Sequence, residues 1–475
     1  MQTELYIGGE WRPASDGGTF PIEDPSTEKS IAEVASATVE DVTMAVDIAH
    51  AAGVEWSKRK PRERAEVLRR SWELLTSRRE QIAEYIVREN GKALPDAYGE
   101  TDYAIEFFRW YAEEAVRNYG EILTSPSGGN RIVVLRQPIG VSVLVTPWNY
   151  PAAMATRKIA PALAAGCPVI LKPASDTPLT ALLVAEILTE AGVPPGVMNV
   201  VPSRRSGEVV GAMLHHSLVR KLSFTGSTEV GRALLREASD CVVNCSMELG
   251  GNAPFLVFDD ADIDVAVQGA MVAKMRNGGE ACTAANRFYA HESVYEEFAE
   301  KFAAAMAAMK VGPGLEPGVE LGPMVNAWAI KDIDRLVEDA KSKGSNVLTG
   351  GAPMDRIGHY YPPTVLGRVP GEADILREEV FGPVAPVVSF SDDEEVIAAA
   401  NDTEYGLVSY LYTGSLKRGM AVSERLDAGM IGLNRGLVSD PAAPFGGTKQ
   451  SGLGREGSHE GMMEYMETKY IATDW

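Results

Sequence analysis

The sequence is poor in cysteine and in positive charge, and it lacks a long apolar run. Its 475 residues include four cysteines, whose spacing matches neither a disulfide framework nor a metal site. The formal net charge of −21 excludes nucleic acid and an anionic membrane as expected partners, because both require basic patches. The longest apolar run, residues 159–171, is interrupted by Pro161 and Pro168 and is too short to span a membrane. With no basic, apolar leader at its start, the chain is expected to be cytoplasmic and reduced.

Helical spacing of apolar residues covers positions 38–118, and strand-like and helical segments then alternate. Near-continuous apolar strands separated by helices predict an α/β fold with a parallel, doubly wound sheet of the Rossmann type. A second α/β series begins near residue 250. The Rossmann glycine fingerprint is absent, and no linker is long enough to separate independent modules. The segments that carry this prediction are strands at 140–147, 168–172, 197–201, 218–224 and 255–258, and helices at 178–191, 229–238, 262–275, 294–309, 328–342 and 393–401.

Cys282 is the most informative residue. It lies among small residues that let a substrate approach the sulfur and leave its main-chain N–H free. A thiolate beside a free N–H suits acyl-transfer chemistry. A small, buried, inert thiol is the alternative, and the cysteine alone favours that alternative.

Other candidate residues follow strands. Glu248 lies among apolar residues and glycines, where burial would raise its pKa toward that of a general base. Asn149 lies in a proline-flanked loop and could donate to an oxyanion. Lys172 ends a strand where nucleotides bind in open α/β sheets, and Gly226 and Ser227 open a helix whose N–H groups could face a phosphate. Each residue alone is at least as compatible with a cap, a turn or the surface, and for Gly226 and Ser227 a plain strand-to-helix turn is favoured.

Taken together and in this order, seven segments resemble the aldehyde dehydrogenase superfamily over essentially the whole chain. They are residues 147–149, 172–175, 224–227, 248–251, 282, 379–383 and 444–447. The resemblance implies a cofactor domain, a catalytic domain and a small β oligomerisation element, assembled as homodimers or homotetramers. The implied bounds are 1–120 and 141–249 for the cofactor domain, 250–440 for the catalytic domain, 121–140 and 460–475 for the oligomerisation element, and 441–459 for a segment returning to the substrate mouth.

The resemblance also implies site residues. Cys282 is similar to the nucleophile that forms a thiohemiacetal and then a thioester, and Glu248 is similar to the base that activates the deacylating water. Asn149 resembles the side-chain half of the oxyanion hole. The implied cofactor contacts are Trp148, Lys172, Ser175, Gly226, Ser227, Glu379 and Phe381.

Three polar residues bear on the substrate. Arg157, Arg276 and Ser439 match the positions that bind the far carboxylate in succinate-semialdehyde dehydrogenases, so a small anionic aldehyde is expected, with succinate semialdehyde favoured. Charge-assisted bonds of this kind contribute roughly 1.5–3 kcal/mol each. Another ω-carboxylated or an aromatic aldehyde is the alternative. A second interpretation makes both arginines structural ion-pair partners.

Ser175 leaves room for a 2′-phosphate beside Lys172, so NADP is expected in preference to NAD, although Asp176 next to it weakens the expectation. Ala284 occupies the position where many relatives carry a second cysteine, which excludes a local disulfide switch. Two other functions stay open at this point. One is a catalytically silent binding or structural protein on the same scaffold, and the other is a thiol esterase without redox function.

Overall fold

The computed structural model describes residues 1–474, so Trp475, the last residue of the predicted oligomerisation element, lies outside the described residues. The N-terminal region has four short strands and then four helices. Thr38 and Asp41 form a capping box at the start of the first helix. The strands are β1 (Leu5–Ile7), β2 (Glu10–Arg12), β3 (Thr19–Asp24) and β4 (Lys29–Ala35), and the helices are α1 (Val39–Lys58), α2 (Pro61–Ser77), α3 (Arg79–Asn90) and α4 (Leu94–Glu114).

Strands and helices alternate through the next part of the chain. Helix α5 has Pro151 in its first turn and ends at Gly166 in the left-handed conformation. The elements are β5 (Glu121–Thr124), β6 (Arg131–Pro138), β7 (Val141–Val145), α5 (Pro151–Ala165), β8 (Val169–Lys172), α6 (Leu179–Glu190), β9 (Met198–Val200), α7 (Ser206–Leu214), β10 (Val219–Thr225), α8 (Thr228–Ser239) and β11 (Asn244–Glu248).

A second alternating series completes the chain, with short 3₁₀ turns at Arg276–Gly279 and Asp374–Leu376. The elements are β12 (Ala253–Val257), α9 (Ile263–Met275), β13 (Ala285–His291), α10 (Tyr295–Ala307), α11 (Ala327–Ser342), β14 (Asn346–Thr349), β15 (Thr364–Gly367), β16 (Val384–Phe390), α12 (Asp393–Asn401), β17 (Tyr405–Gly406), β18 (Val408–Tyr412), α13 (Leu416–Ser423), β19 (Met430–Leu433), β20 (Thr448–Lys449), β21 (Gly452–Leu453), α14 (Glu460–Met463) and β22 (Met466–Thr473).

Two large sheets organise the molecule. The first has the order β2-β1-β9-β8-β7-β10-β11-β21, and the second has the order β14-β15-β16-β13-β12-β18-β19. The five strands from β9 to β11 are mutually parallel, which confirms the predicted doubly wound sheet. Strand β1 pairs antiparallel with β9 and with β2, and β21 pairs antiparallel with β11, features that the sequence did not predict. Buried strands such as β7 and β8 are apolar on both faces because helices cover the sheet on both sides.

Smaller sheets complete the fold. Strands β22, β6 and β5 form a three-stranded antiparallel sheet in which all eight residues of β22 pair with β6. Strands β1–β4 lie in a region for which the sequence analysis made no assignment. Strands β1 and β2 have three residues each, too few to show a period, and β3 and β4, with six and seven residues, mix polar and apolar side chains. Among residues 1–474, no helix is both long and apolar enough to cross a membrane.

Candidate active site

A cavity of about 510 Å³ opens between the two large sheets. It collects twelve of the residues that the sequence analysis selected. They are Trp148, Asn149, Arg157, Lys172, Ser175, Gly226, Ser227, Arg276, Cys282, Glu379, Phe381 and Ser439. Glu248 is the exception, because it is buried behind the wall of the cavity.

The first sheet delivers its residues from one edge. Val145 at the end of β7 is in register with Lys172 on β8 and with Phe224 on β10, and Thr225 is in register with Glu248 on β11. The loops that follow these parallel strands therefore leave the sheet side by side. The topology reverses between β7 and β10, which is where open α/β sheets bind ligands.

The second sheet delivers its residues mostly from the opposite, amino-terminal ends of its strands. Cys282 precedes β13, Gly251 precedes β12 and Glu379 precedes β16. The Gly251 N–H donates to Glu379 Oε1 at 3.1 Å. A Cβ at Gly251 would lie 2.7 Å from the Cys282 carbonyl oxygen, so a larger residue there would displace the cysteine loop.

Cys282 is half-buried at the surface of this cavity. Burial raises the pKa of its thiol to about 12, and the guanidinium of Arg157 opposes the rise. The thiol is therefore neutral at pH 7 in this arrangement. The Cys282 N–H donates to no protein acceptor within residues 1–474, so it is available to an oxyanion at the reacting carbon.

Asn149 is buried, and its amide Nδ2 donates to the Glu280 carbonyl at 2.9 Å. This bond fixes the plane of the amide and leaves its second N–H for another acceptor. The Asn149 carbonyl accepts hydrogen bonds from Lys92 Nζ at 2.7 Å and from Asn277 Nδ2 at 3.1 Å. The backbone and side chain of Asn149 are thus both held in place, as electrostatic stabilisation by a preorganised donor requires.

Glu248 is enclosed beside Gly446, where a Cβ would lie 2.9 Å from Glu248 Oε1. Burial raises the pKa of the Glu248 carboxyl well above its usual range, and the neighbouring Glu456 adds to the rise, while Arg157 and Lys158 oppose it. Its Oε2 has no hydrogen-bond partner among the described residues. A raised pKa makes the ionised carboxylate a stronger base, and the oxygen without a partner is available to a water molecule.

Glu456 is a residue whose role the sequence analysis missed. Its carboxylate forms ion pairs with both Arg157 and Lys158, and Lys158 Nζ also donates to Ser223 Oγ at 3.0 Å. The guanidinium carbon of Arg157 lies 4.3 Å from the centre of the Phe445 ring. Arg157 therefore has a protein carboxylate as partner, although it also lines the cavity. About 300 residues of sequence separate the partners, so no local pattern could have revealed the pair.

Arg276 differs from Arg157. It begins the 3₁₀ turn before the cysteine loop, is half-buried, and donates from Nη2 to Thr283 Oγ1 at 3.2 Å. Its guanidinium carbon lies 5.7 Å from the centre of the Tyr150 ring. Within residues 1–474 no carboxylate lies at ion-pairing distance from it. The half-buried Ser439 lies in the loop after β19 and lines the same cavity.

The far end of the cavity has a different chemistry. Lys172 Nζ donates to Ser206 Oγ at 2.6 Å, and burial lowers the pKa of Lys172 to about 8. Ser175 and Asp176 line the wall beside it. The sequence analysis did not select Ser206, which begins α7 about 30 residues after Lys172 and has no local signal linking it to that lysine.

The middle of the cavity suits a dinucleotide. Ser227 caps helix α8, and a Cβ at Gly226 would lie 2.5 Å from the Phe224 ring, so only glycine keeps this approach to the helix N-terminus open. Burial raises the pKa of Glu379 to about 7, and the rings of Phe381 and Trp148 meet edge to face at 5.5 Å. These groups fit a nicotinamide dinucleotide. The carboxylate can bind hydroxyl groups, the helix N-terminus can bind phosphates, and the aromatic pair can contact a flat ring.

Comparison with known proteins agrees with this geometry. The model of the aldehyde dehydrogenase family matches residues 11–471. A succinate-semialdehyde dehydrogenase of Paenarthrobacter nicotinovorans is 54% identical over 93% of this chain and 98% of its own length. A glutarate-semialdehyde dehydrogenase of Pseudomonas putida is 47% identical over 99% and 98%. The crystal structure of an NADP-dependent enzyme of E. coli superposes with a TM-score of 0.98 at 44% identity, covering 100% of this chain and 98% of that one. The chain belongs to the aldehyde dehydrogenase family and has its fold.

Proposed function

We propose that this aldehyde dehydrogenase oxidises succinate semialdehyde to succinate, with NADP preferred over NAD. The observation that carries the substrate assignment is Arg276, whose guanidinium faces the cavity near Cys282 without a carboxylate partner in the described chain. An enclosed cation without an anion is costly, and a substrate carboxylate would remove that cost. The names of two relatives, one acting on succinate semialdehyde and one on glutarate semialdehyde, agree with an ω-carboxylated substrate.

The residues around Cys282 account for the bond changes. The thiol releases its proton to solvent water as its sulfur attacks the aldehyde carbon, and the resulting oxyanion accepts hydrogen bonds from the Asn149 amide and the Cys282 N–H. The chemistry that the nicotinamide cofactor supplies when bound is acceptance of a hydride. Glu248 then takes a proton from water, and the water oxygen displaces the sulfur from the acyl carbon. Glu248 passes that proton to the departing thiolate of Cys282, which restores both groups, and the product is a carboxylic acid.

The preference for NADP rests on the far end of the cavity. Ser175 is short and uncharged, and it lies beside the Lys172 ammonium, which donates to Ser206. A 2′-phosphate would find a cation and two hydroxyl groups there. Asp176 lines the same wall and weakens this preference, because its carboxylate would repel a phosphate.

Initial rates over a panel of four aldehydes and two cofactors test the proposal. The aldehydes are succinate semialdehyde, glutarate semialdehyde, benzaldehyde and butanal, each with NADP and with NAD. The expected result is the highest kcat/KM for succinate semialdehyde with NADP, and loss of activity in Cys282→Ala. Preference for an uncharged aldehyde would contradict the substrate assignment. Ester hydrolysis without coupled reduction of the cofactor would support the thiol esterase instead.

We also propose that the chain assembles as a homodimer or homotetramer through the sheet of β22, β6 and β5. Several apolar side chains on and beside this sheet are exposed, and both edge strands are unpaired within the described chain. The exposed residues are Tyr119, Ile122, Leu123, Tyr470 and Ile471. Light scattering on the purified protein should give two or four chains, and Ile122→Glu should reduce that number. A monomer would contradict the proposal.

A further inference from the structure

Lys92 and Glu100 form a buried ion pair outside the residues considered so far. Lys92 lies between α3 and α4, Glu100 lies on α4, and their side chains are 2% and 0% exposed. Lys92 Nζ and Glu100 Oε2 are 2.6 Å apart. Removing two charges from water is costly, and a hydrophobic pair of similar volume often serves stability as well. The contacts of the pair must therefore explain what it does.

Lys92 contacts the loop that carries the proposed oxyanion donor. Besides its bond to the Asn149 carbonyl, its ammonium lies 4.3 Å from the centre of the Tyr150 ring. Asn277 bonds the same carbonyl from the cysteine loop and also bonds the Glu280 carbonyl, to which the Asn149 amide donates. Lys92 is thus one of two donors that fix the backbone of Asn149, and it is the only charged one of the two.

Glu100 contacts the helix that follows. Its Oε1 accepts hydrogen bonds from the N–H groups of Ala152 at 2.8 Å and Ala153 at 3.2 Å, which belong to the first turn of α5. A carboxylate at a helix N-terminus satisfies free N–H groups and interacts favourably with the helix dipole. One oxygen of Glu100 therefore fixes the start of α5, and the other holds Lys92 against Asn149. The pair connects both ends of the segment 149–153.

Glu89 shows what a carboxylate does without a lysine. It accepts hydrogen bonds from the N–H groups of Leu179 and Thr180 at the start of α6, at 2.6 and 2.8 Å, and it forms no ion pair within residues 1–474. Burial raises the pKa of Glu89 to about 8. A lone carboxylate is thus sufficient to cap a buried helix in this protein, so capping alone does not account for Lys92. What Lys92 adds is the bond to Asn149.

We propose that Lys92 and Glu100 are positioning residues for the oxyanion donor Asn149. The inference rests on the role of Asn149 in the proposed function. The pair touches neither the reacting thiol nor the substrate carboxylate, so it acts on the formation and collapse of the thiohemiacetal rather than on substrate binding. A displacement of about 1 Å in such a donor is expected to lower the rate on the order of 10- to 100-fold.

The test compares Lys92→Met, Glu100→Gln and Lys92→Arg with Glu89→Gln as the matched control. Active sites are counted by stoichiometric NADPH binding, and kcat per site, KM and the isotope effect are measured. The substrate is succinate semialdehyde with either hydrogen or deuterium on the aldehyde carbon. We expect Lys92→Met to lower kcat per site about 10- to 100-fold with little change in KM, and to raise the isotope effect on kcat.

The other variants sharpen that result. Glu100→Gln should shift kcat and the isotope effect in the same direction but less, because its amide oxygen still accepts the α5 N–H groups. Lys92→Arg should recover part of the rate. Glu89→Gln should lower the melting temperature while kcat per site stays at the wild-type value. If Lys92→Met lowers only the melting temperature and the number of active sites, as the control does, the positioning role is overturned. If Lys92→Met does not fold, Glu100→Gln and Lys92→Arg decide the question by the same measurements.

Asn149→Ala separates this proposal from the function on which it rests. If Asn149→Ala leaves kcat unchanged, the oxyanion role itself is wrong. If Asn149→Ala lowers kcat, Lys92→Met should have no further effect in that background, because both changes remove the same interaction. If the two losses of kcat multiply in the double variant, the positioning role of Lys92 is overturned, while the oxyanion role of Asn149 stands.

Discussion

Arg157 and Arg276 reach the same end of one cavity, but their protein partners differ. Arg157 is on α5, only 1% of its side chain is exposed, and it forms an ion pair with Glu456, which also pairs with Lys158. Arg276 precedes the cysteine loop and has a threonine hydroxyl and a tyrosine ring as neighbours. Two arginines that match the same substrate-binding pattern in sequence thus lie in opposite electrostatic settings.

This difference between the two arginines indicates that they have different roles. Arg157 shares the carboxylate of Glu456 with Lys158, so this arginine belongs to a buried network that extends to Lys158 and influences Glu248. The charge of Arg276 is not compensated by any carboxylate at ion-pairing distance in the described chain. We therefore infer that Arg276 supplies most of the attraction for a substrate carboxylate. Arg157 mainly shapes the electrostatics of the base and the thiol.

The largest effect is expected on the Arg157 side, where the base lies. Glu248→Gln should lower steady-state kcat on the order of 10²- to 10⁴-fold, because the amide cannot take a proton from water. Formation of the acyl-enzyme should persist, so rapid mixing should show a burst of about one reduced cofactor per active site. If Glu248→Gln loses both the burst and the steady-state turnover, Glu248 acts in a step before the acyl-enzyme forms.

Arg276→Met, in contrast, should weaken binding of the substrate carboxylate. Loss of a charge-assisted bond of about 1.5–3 kcal/mol predicts a fall in kcat/KM for succinate semialdehyde of about 10- to 100-fold. The rate with butanal should change much less, because that aldehyde has no carboxylate. A similar loss for both aldehydes would show that Arg276 supports the cysteine loop rather than the substrate.

Arg157→Met is expected to lower kcat/KM for succinate semialdehyde less than Arg276→Met, and to lower stability more. Breaking a buried pair costs about 3–5 kcal/mol in general, and the cost here should lie below that range because Lys158 still faces Glu456. Urea unfolding measures the loss. The double variant Arg157→Met/Glu456→Gln should be less stable than Arg157→Met alone, because it also breaks the remaining ion pair and leaves Lys158 buried without a carboxylate partner. Equal stability of the two would argue against the ion pair.

The smallest effect concerns the thiol. Burial raises the pKa of Cys282 to about 12, so alkylation by iodoacetamide in the cofactor-free protein should accelerate with pH through the neutral and alkaline range. Loss of a neighbouring cation raises the thiol pKa further and slows alkylation at a fixed pH. Arg157 opposes the rise more strongly than Arg276 does. Arg157→Met should therefore slow alkylation more than Arg276→Met, by less than about tenfold for a shift below one pKa unit. The reverse order would contradict this assignment of charges.

The sequence predicted much of the fold. It also predicted part of the site, namely residues that the first large sheet contributes, and the reason is physical. Residues that follow parallel strands converge on one edge, so Lys172 and Asn149 could be placed together from the strand pattern, whereas strand β11, which carries Glu248, was not predicted. Cys282 and Glu379 precede strands of another sheet, and only the resemblance to a family connected them with the rest. The strands β1–β4 are short and partly polar, and they left no usable period.

The same limit applies to partners distant in sequence. The choice between a substrate-binding and an ion-paired arginine could not be made before the structure, because Glu456 lies about 300 residues after Arg157. The pair of Lys92 with Glu100 is local, but its contact with Asn149 depends on how α4 packs against α5. Periodicity predicts that both helices are buried, and it contains no information about which polar atoms meet between them.

The shared carboxylate of Glu456 has a consequence for how the substrate range can evolve or be redesigned. Arg276 can be exchanged for an apolar residue with less cost, since it forms no ion pair within residues 1–474 and acts on the pKa of Asp96 and Cys282 only from a distance. Arg157 cannot be exchanged in the same way, because a single substitution breaks a buried ion pair and leaves Glu456 with Lys158 as its one remaining cation among the ion pairs described. A path toward uncharged aldehydes is therefore expected to begin at Arg276, because a change at Arg157 also costs stability through the network of Glu456 and Lys158.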